Sequence, residues 1–418
     1  MTDSTQETEF HAAAREELAV DYGPVGDWAT DFDIMDGEYL VRPEARWAEQ
    51  RERCPIAFTE RRQRTWLPVK YEDLSAIAHD LDRFSSRDIT VVSPFDAPIN
   101  DVFPVPPISS DRPVHTWARR LLLPAFGPAA IEKMTPITRA LAEELTARHF
   151  SNGTGDVAVD FARHIPVRII AQMLGIPLED EEMFTGWVVR TLQEGFQNLD
   201  GAMDVLGEMT MYFSAQVAER RETASEDRPD DVITMLIEAE TDEPMTDEHL
   251  LGTCFLLLIA GIDTTWSAIG SSLWHLASHP VDQQRLRDDP SLIPVAVEEF
   301  LRAYSPVTMA RYVTEDTDFK GCPMKEGDKV LMAFPAGNHD PNMFEDADQV
   351  IIDRETNRHF AFGAGIHRCL GSNLARMEIK VAIEVFLENV PTFTLADSDD
   401  VVWNGGQVRG PRRVRITF

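Results

Sequence analysis

Residues 362–371 read FGAGIHRCLG and run directly into an amphipathic pattern that predicts a helix from about Leu370. Cys369 therefore stands at a helix N-terminus, where unpaired backbone N–H groups and a partial positive charge stabilise a thiolate. The thiolate is the form of cysteine that binds metals. The glycines of the segment let the backbone approach a large, flat group. A buried free cysteine is the ordinary alternative, but so many specified positions in one short segment argue against it.

The composition places the chain among globular proteins and excludes several classes of partner. The 418 residues are 43% hydrophobic and 26% charged. The net charge of −32 disfavours nucleic acid and anionic membranes, because both require a basic surface. The longest apolar run, Cys254 to Ile262, is far shorter than the roughly 20 residues of a membrane span.

The termini and the cysteines indicate a cytoplasmic protein. The N-terminus is polar and acidic, without the basic start and apolar run of a signal peptide. The four cysteines lie far apart and form no CxxC pair, which indicates a reducing compartment. We expect residues 1–40 to form an acidic, partly ordered arm and residues 41–418 to form one body, because no Gly/Ser linker divides it.

The hydrophobic periodicity predicts a mainly α fold with a small β region. The predicted helices are 43–53, 113–123, 136–150, 160–174, 180–196, 202–222, 229–239, 246–279, 291–303 and 370–389. The predicted strands are 56–58, 66–69, 307–313 and 328–334. Residues 84–113 hold six prolines and no helical period, so we expect a long loop whose apolar side chains suit a binding wall. A coil is expected at 335–362.

A second motif, AGIDTT at residues 260–265, lies at the centre of the long apolar helix predicted at 246–279. A glycine in a helix interior costs about 1 kcal/mol, and a buried carboxylate costs more unless it is paired. Such an arrangement indicates a function. A surface-facing Asp-Thr pair on an ordinary core helix is the alternative.

The chain resembles the cytochrome P-450 superfamily, because residues 362–371 match its haem-binding signature at each fixed position. The resemblance implies a b-type haem bound through Phe362, Gly363, His367 and Gly371, with Cys369 as the thiolate ligand of the iron. In the oxygen-side motif it implies that Gly261 makes room for O₂. It further implies that Thr264 hydrogen-bonds the bound oxygen and that Asp263 takes part in proton delivery.

The resemblance also assigns residues at the haem propionates and a structural ion pair. His115 and Arg119 share one face of the helix predicted at 113–123, and they match the helix that contacts a propionate. Arg311 and His367 match two other propionate contacts. Glu299 and Arg302, with Arg354 downstream, match a buried pair that ties this side of the haem to the coil before the cysteine.

The implied activity is O₂-dependent monooxygenation, with electrons from NAD(P)H passing through a ferredoxin reductase and a ferredoxin. We expect a small, neutral, hydrophobic substrate such as a terpenoid or an aromatic compound. Its walls would come from 84–108, 180–196, 257–260, 307–309 and 407–408. A peroxide-driven peroxygenase and a haem-binding sensor or carrier are the alternatives, and the Asp263-Thr264 pair argues against both. An acidic ferredoxin would need a local basic patch, for which Arg120 and Arg368 are the candidates.

Overall fold

The computed structural model describes residues 22–92, 97–194, 199–240 and 245–418. They form a mainly helical body with a small β region, as the sequence predicts. The helices are α1 Gly37–Val41, α2 Glu44–Arg53, α3 Tyr71–His79, α4 Ile99–Val102, α5 Val114–Leu122, α6 Pro128–His149, α7 His164–Leu174, α8 Glu181–Val188, α9 Leu199–Glu222, α10 Val232–Ile237, α11 Asp247–Ser278, α12 Pro280–Asp288, α13 Ile293–Ala303, α14 Phe334–Asn338 and α15 Ser372–Asn389.

The strands form one larger sheet and three small ones. They are β1 Ile56–Thr59, β2 Thr65–Pro68, β3 Phe84–Ser85, β4 Thr154–Asp156, β5 Met309–Val313, β6 Thr317–Phe319, β7 Cys322–Met324, β8 Lys329–Met332, β9 Thr394–Leu395, β10 Val402–Asn404, β11 Gly410–Arg413 and β12 Arg415–Thr417. The larger sheet has the order β1-β2-β8-β5-β3, and only its β2–β8 pair is parallel. This sheet brings β5 and β8 beside the segment that follows β3.

Helix α11 is the central element of the fold. Its N-terminus is capped by the Thr246 side chain, which accepts a hydrogen bond from the backbone N–H of His249 at 3.2 Å. The helix contacts α7, α9, α15 and β11. Among the described helices, α11 is the one long and apolar enough to cross a membrane, but 67% of its most apolar window is buried inside the body. Its apolar character therefore reflects its place in the core.

The first large difference from the predicted elements is at α6, which begins at Pro128 instead of 136. Pro128 occupies the first turn, where its missing N–H is not needed. Pro136 lies in the helix interior and removes one backbone hydrogen bond. The packing of α6 along α15 outweighs that loss, so a proline that the sequence suggests as a start is an internal residue.

Two other predicted segments also differ. The helix predicted at 180–196 is α8 followed by a π-helical turn, Val189–Gln193, and residues 195–196 lie outside the described residues. The loop predicted at 84–113 contains β3 and α4, and residues 93–96 are not described. These elements are short because they are held mainly by contacts with other parts of the chain.

The described part of the predicted N-terminal arm packs against the body. Trp28 and Phe32 are buried, and the Trp28 ring stacks on Tyr39 at 5.5 Å between centroids. Tyr39 in turn accepts a hydrogen bond from Trp47 of α2 at 3.0 Å. Residues 22–40 are therefore part of the same hydrophobic core as the β region.

Candidate active site

The cysteine loop is held in one conformation by backbone contacts. The Cys369 N–H donates to the Phe362 carbonyl at 2.7 Å, which closes the loop. Gly365 has φ +66°, and a Cβ there would lie 2.3 Å from the Ala78 carbonyl oxygen of α3. Gly363 has φ +67°. Both positions therefore require glycine.

The Cys369 thiol points into a cavity between α11 and the start of α15. Helix α15 begins at Ser372, slightly later than predicted, and Gly371 is its N-cap. Burial raises the pKa of the Cys369 thiol, whereas the Gly371 N–H and Arg119 oppose that rise. A bound metal ion would replace the thiol proton outright. Phe362 and Gly371 line the same cavity.

Buried basic side chains lie together at one end of the cavity. Arg311 of β5 is 4% exposed, and its one side-chain hydrogen bond among the described residues runs to the Ala310 carbonyl at 2.8 Å. Burial lowers the pKa of Arg311 to about 10. Within the part of the chain that the structure describes, both ring nitrogens of His115 and Nε2 of His367 are buried without hydrogen-bond partners. Unpaired buried donors of this kind require an anionic or polar ligand.

The two histidines of this group lie against each other, with ring centroids 4.3 Å apart. Burial lowers the pKa of His115, and burial together with Arg311 lowers the pKa of His367 to about 2. Arg119 is half-buried on α5, and its Nη2 donates to the Arg368 carbonyl at 2.6 Å. The structure therefore brings His115, Arg119, Arg311 and His367 together at one end of the cavity, and their role as propionate contacts stays a prediction.

The oxygen-side motif lies on α11 across the cavity. Thr264 lines the cavity, and its Oγ1 donates to the Ala260 carbonyl at 2.9 Å. Gly261 also lines the cavity. A Cβ at Gly261 would approach Ile170 of α7 to 3.1 Å, so helix packing is one reason for glycine at this position.

Asp263 is turned away from the cavity and is fully buried. Its carboxylate pairs with Nη2 of Arg412 at 3.0 Å and accepts from Nε2 of Gln193 at 3.0 Å. Arg412 is itself held by Ser267 Oγ at 3.0 Å and lies over the Trp266 ring at 4.6 Å. Burial raises the pKa of Asp263, and the ion pair with Arg412 opposes that rise.

A second carboxyl group, Glu378 of α15, lines the cavity and is 1% exposed. No described residue forms a hydrogen bond with its Oε1, and burial raises the pKa of Glu378 to about 8. The group is therefore mostly neutral at pH 7.

The remaining wall of the cavity is almost entirely apolar. Each of the five segments predicted to form the substrate wall contributes to it. The contributing residues include Ile89, Val92, Phe103, Val105, Leu192, Leu257, Ala260, Val307, Met309 and Val408. No Lys, and no Arg other than Arg119 and Arg311, is among the lining residues that the structure describes. This part of the cavity therefore suits an uncharged, apolar ligand.

Comparisons with known proteins agree with this geometry. A cytochrome P450 family profile matches residues 62–402. The chain is a cytochrome P450. It is 30% identical to the mycinamicin IV hydroxylase/epoxidase of Micromonospora griseorubida over 93% of this chain and 98% of the relative. It is 32% identical to the vitamin D(3) 25-hydroxylase of Pseudonocardia autotrophica over 92% of this chain and 96% of the relative.

Solved structures give the same result for the fold. The Bacillus subtilis polyketide synthase P450 PksS superposes with a TM-score of 0.84 at 31% identity, covering 92% of this chain and 99% of that one. The P450 BioI structure, solved with an acyl carrier protein, covers 91% and 100% with a TM-score of 0.83 at 29% identity. The protein is thus a P450 monooxygenase, a class of enzyme that uses haem.

The residues of the cavity fit a haem. A haem needs an iron ligand from the protein and partners for two propionates. Cys369 supplies a thiol that lines the cavity, and Arg311 and His367 line it too, with His115 packed against His367. Among the described residues Arg311 has one side-chain hydrogen bond and no ion pair, so its other donors are open to a carboxylate.

Three site residues escaped the sequence reasoning. Arg412 and Gln193 bind Asp263 from segments distant in sequence, and no local pattern marks either of them. Glu378 left a signal, because it is an acid in the apolar stripe of the helix that follows Cys369. A buried acid on such a stripe indicates either a hidden partner or a raised pKa.

Proposed function

We propose that this P450 inserts one oxygen atom from O₂ into a small, neutral, apolar substrate in the cytoplasm. Electrons would come from NAD(P)H through a ferredoxin reductase and a ferredoxin. The observation that carries the proposal is one cavity with Cys369 on one side, Thr264 on the other and an apolar wall around Thr264. When bound, the haem supplies the activation of O₂.

Two groups of residues would hold the haem. Cys369 would hold the iron, supported by Phe362, Gly363 and Gly371 around the loop. Basic side chains at one end of the cavity would bind the propionates and so hold the haem in place. Arg119, Arg311 and His367 line that end, and His115 lies against His367.

Thr264 would hold a proton at Oγ1, close to the reacting atoms. Its hydroxyl now donates to the Ala260 carbonyl of its own helix, so a small rotation would let it donate into the cavity. Asp263 would supply protons to this side of the helix. Because Arg412 and Gln193 hold its carboxylate away from the cavity, the supply would require exchange of one of those contacts.

The substrate class follows from what the wall lacks. A carboxylate or phosphate in the Thr264 part of the cavity would lose its water without finding a cation. A relative named for vitamin D(3) and a solved relative in complex with testosterone support a neutral organic substrate. We expect the same chemistry here, with a terpenoid or an aromatic compound as first candidates.

The test is product formation by the haem-loaded enzyme with NADH, a ferredoxin reductase and a ferredoxin. Compounds that shift the haem spin state would be chosen first from a panel of neutral apolar molecules. Thr264→Ala should yield more hydrogen peroxide and less product for each NADH, because proton delivery is disturbed. Thr265→Ala, which removes the neighbouring cavity-lining hydroxyl, is the matched control and should stay close to wild type.

Two outcomes would contradict the proposal. Unchanged product per NADH in Thr264→Ala would remove the role given to its hydroxyl. Product formed from hydrogen peroxide alone as fast as from the NADH chain would identify a peroxygenase. Cys369→His should also abolish the red-shifted Soret band of the reduced, CO-bound protein, and survival of that band would exclude Cys369 as the ligand.

A further inference from the structure

One wall of the cavity is formed by residues 88–92, which follow β3 and form no strand. Ile89, Thr90 and Val92 of this segment line the cavity. Because residues 88–92 lack the regular backbone pairing of a strand, their conformation depends on contacts from other elements. Two side chains from distant parts of the chain provide them, Lys329 of β8 and Gln407 near the C-terminus.

Lys329 binds the segment with all three of its ammonium hydrogens. Its Nζ lies 2.9 Å from the Asp88 carboxylate, 3.0 Å from the Thr90 carbonyl oxygen and 3.2 Å from Thr90 Oγ1. Thr90 in turn donates to Asp88 through its backbone N–H at 3.1 Å and through its hydroxyl at 2.6 Å. The side chains of Lys329 and Asp88 are 5% and 4% exposed, so this is a closed, buried network.

Gln407 holds the same segment from the other side. Its Nε2 donates to the Ile89 carbonyl at 3.2 Å, and its Oε1 accepts from the Val91 N–H at 3.3 Å. The side-chain amide therefore takes the place of a neighbouring strand. The Ala310 N–H of β5 also donates to the Ile89 carbonyl, at 3.0 Å. The segment is thus fixed to the sheet without being a strand of it.

A buried ion pair is weak evidence for a contribution to stability, because desolvation offsets much of the attraction. A better-supported use of buried polar groups is to select one conformation. Here the pair lies directly behind a cavity wall, and Lys329 itself is not among the residues that line the cavity. Its contacts therefore act on the cavity through the wall.

We propose that Lys329 is a positioning residue for substrate, which with Gln407 fixes residues 88–92 as a rigid wall and so sets the shape of the cavity. This inference rests on the proposed function, since it assumes that the ligand occupies the cavity beside Thr264. A wall held in advance need not be ordered when the ligand binds, and that ordering would otherwise weaken affinity.

The test uses the haem-loaded protein and two azoles that coordinate haem iron, so it does not depend on knowing the substrate. Imidazole is small and reports on the haem site alone, whereas clotrimazole carries bulky apolar groups that must fit the cavity. Lys329→Met should weaken clotrimazole binding by about tenfold, read as the Soret shift, and leave imidazole binding unchanged. Lys325→Met is the control, because Lys325 is 56% exposed and pairs with an exposed Asp316.

A second variant separates positioning from stability. Lys329→Met leaves Asp88 buried without its partner and should lower thermal stability. The double variant Asp88→Asn with Lys329→Met removes both charges, so thermal stability should return while clotrimazole binding stays weak, because the Thr90 carbonyl is no longer held. Recovery of both properties in the double variant would overturn the proposal and leave the pair a purely structural role.

The outcomes for this inference and for the proposed function are distinct. If no neutral apolar compound shifts the spin state of the wild type, the proposed substrate class fails, while the azole comparison still tests the wall. If substrates bind and turn over but clotrimazole affinity is the same in wild type and both variants, the positioning role is wrong and the proposed function stands.

Discussion

Two buried arginines nine residues apart, Arg302 and Arg311, differ in how their guanidinium groups are satisfied. Arg302 is 0% exposed and makes five hydrogen bonds, two of them to the Glu299 carboxylate at 2.8 and 2.9 Å. The others reach the Asn338, Ala347 and Gln349 carbonyls. Arg311 is 4% exposed, yet it has one hydrogen bond, to Ala310 O, and no ion pair among the described residues.

Arg302 is therefore a structural residue, whereas the donors of Arg311 are open to a ligand. Glu299 also accepts from the Ile351 N–H, Arg354 and Asn357, so its network is complete within the chain and ties α13 to the coil before Cys369. The charges of Glu299 and Arg302 therefore require no ligand. A buried cation that lacks such a network is unfavourable until an anion binds, and a haem propionate is the anion that we propose for Arg311.

The largest loss of stability should come from removing Arg302 from its network with Glu299. Arg302→Met would leave Glu299 buried with Arg354 as its remaining cation, and removing one partner of such a pair costs about 3–5 kcal/mol. Urea unfolding of the purified protein measures the loss. Arg148→Met is the control, since the pair of Arg148 with Glu144 is exposed, and it should change stability by less than about 1 kcal/mol. Equal losses in the two variants would contradict the comparison.

The next largest effect on stability should come from Glu378, whose carboxyl group is buried beside the cavity. Its pKa is about 8 in the folded protein against 4.5 in the unfolded chain, so the folded state binds the extra proton between these values. Stability must therefore fall as pH rises from about 4.5 to about 8. Glu378→Gln removes that dependence, so the variant should resemble wild type near pH 5 and exceed it by up to about 4 kcal/mol at pH 8.

Urea unfolding at several pH values between 5 and 8 gives the difference between the variant and wild type. Glu388→Gln, on the same helix with a 57% exposed carboxylate, is the matched control and should show a constant difference. A constant difference for Glu378→Gln as well would mean that the Glu378 carboxylate is ionised in the folded protein, and the prediction would be wrong.

Arg311→Met should have the opposite sign from Arg302→Met in the protein without haem. Loss of an unsatisfied buried cation should stabilise the apoprotein by about 1–3 kcal/mol. Haem should nevertheless leave the variant faster, because a propionate has lost its partner. Unfolding of the apoprotein and transfer of haem to apomyoglobin measure the two effects. A destabilised apoprotein would show that Arg311 is satisfied within the chain.

The sequence predicted the parts of the molecule that depend on local pattern. The Cys369 loop and the long helix α11 follow from motifs and periodicity, whereas the five segments around the cavity follow from the resemblance to cytochrome P450; the family and fold are confirmed. The start of α6 was predicted wrongly because Pro136 looks like a helix start, whereas packing against α15 decides the boundary.

The unpredicted part of the site consists of contacts between distant segments. Arg412 reaches Asp263 only because β11 packs on α11, where a Cβ at Gly410 would overlap Ser267. Lys329 reaches Asp88 because β8 pairs with β5, and β5 pairs with β3, the strand that precedes Asp88. One sequence carries no signal for such pairs, because each partner is unremarkable in its own segment.

The last prediction concerns Arg120, where we expect no change in stability and only a slower electron transfer from ferredoxin. Arg120 is exposed on α5 and forms no ion pair with a described residue. Its neighbour Arg119 binds the Arg368 carbonyl, so α5 lies against the cysteine loop, and we expect Arg120 and the exposed Arg368 to form a basic patch there. In a chain of net charge −32, such a patch would guide an acidic ferredoxin.

Arg120→Glu should leave unfolding unchanged, lower the rate of reduction by ferredoxin roughly three- to tenfold at low salt, and flatten its salt dependence. Dithionite reduction should not change, and Arg42→Glu, an equal charge change at the end of α1, should behave as wild type. Wild-type ferredoxin kinetics at low salt in Arg120→Glu would place the docking surface elsewhere.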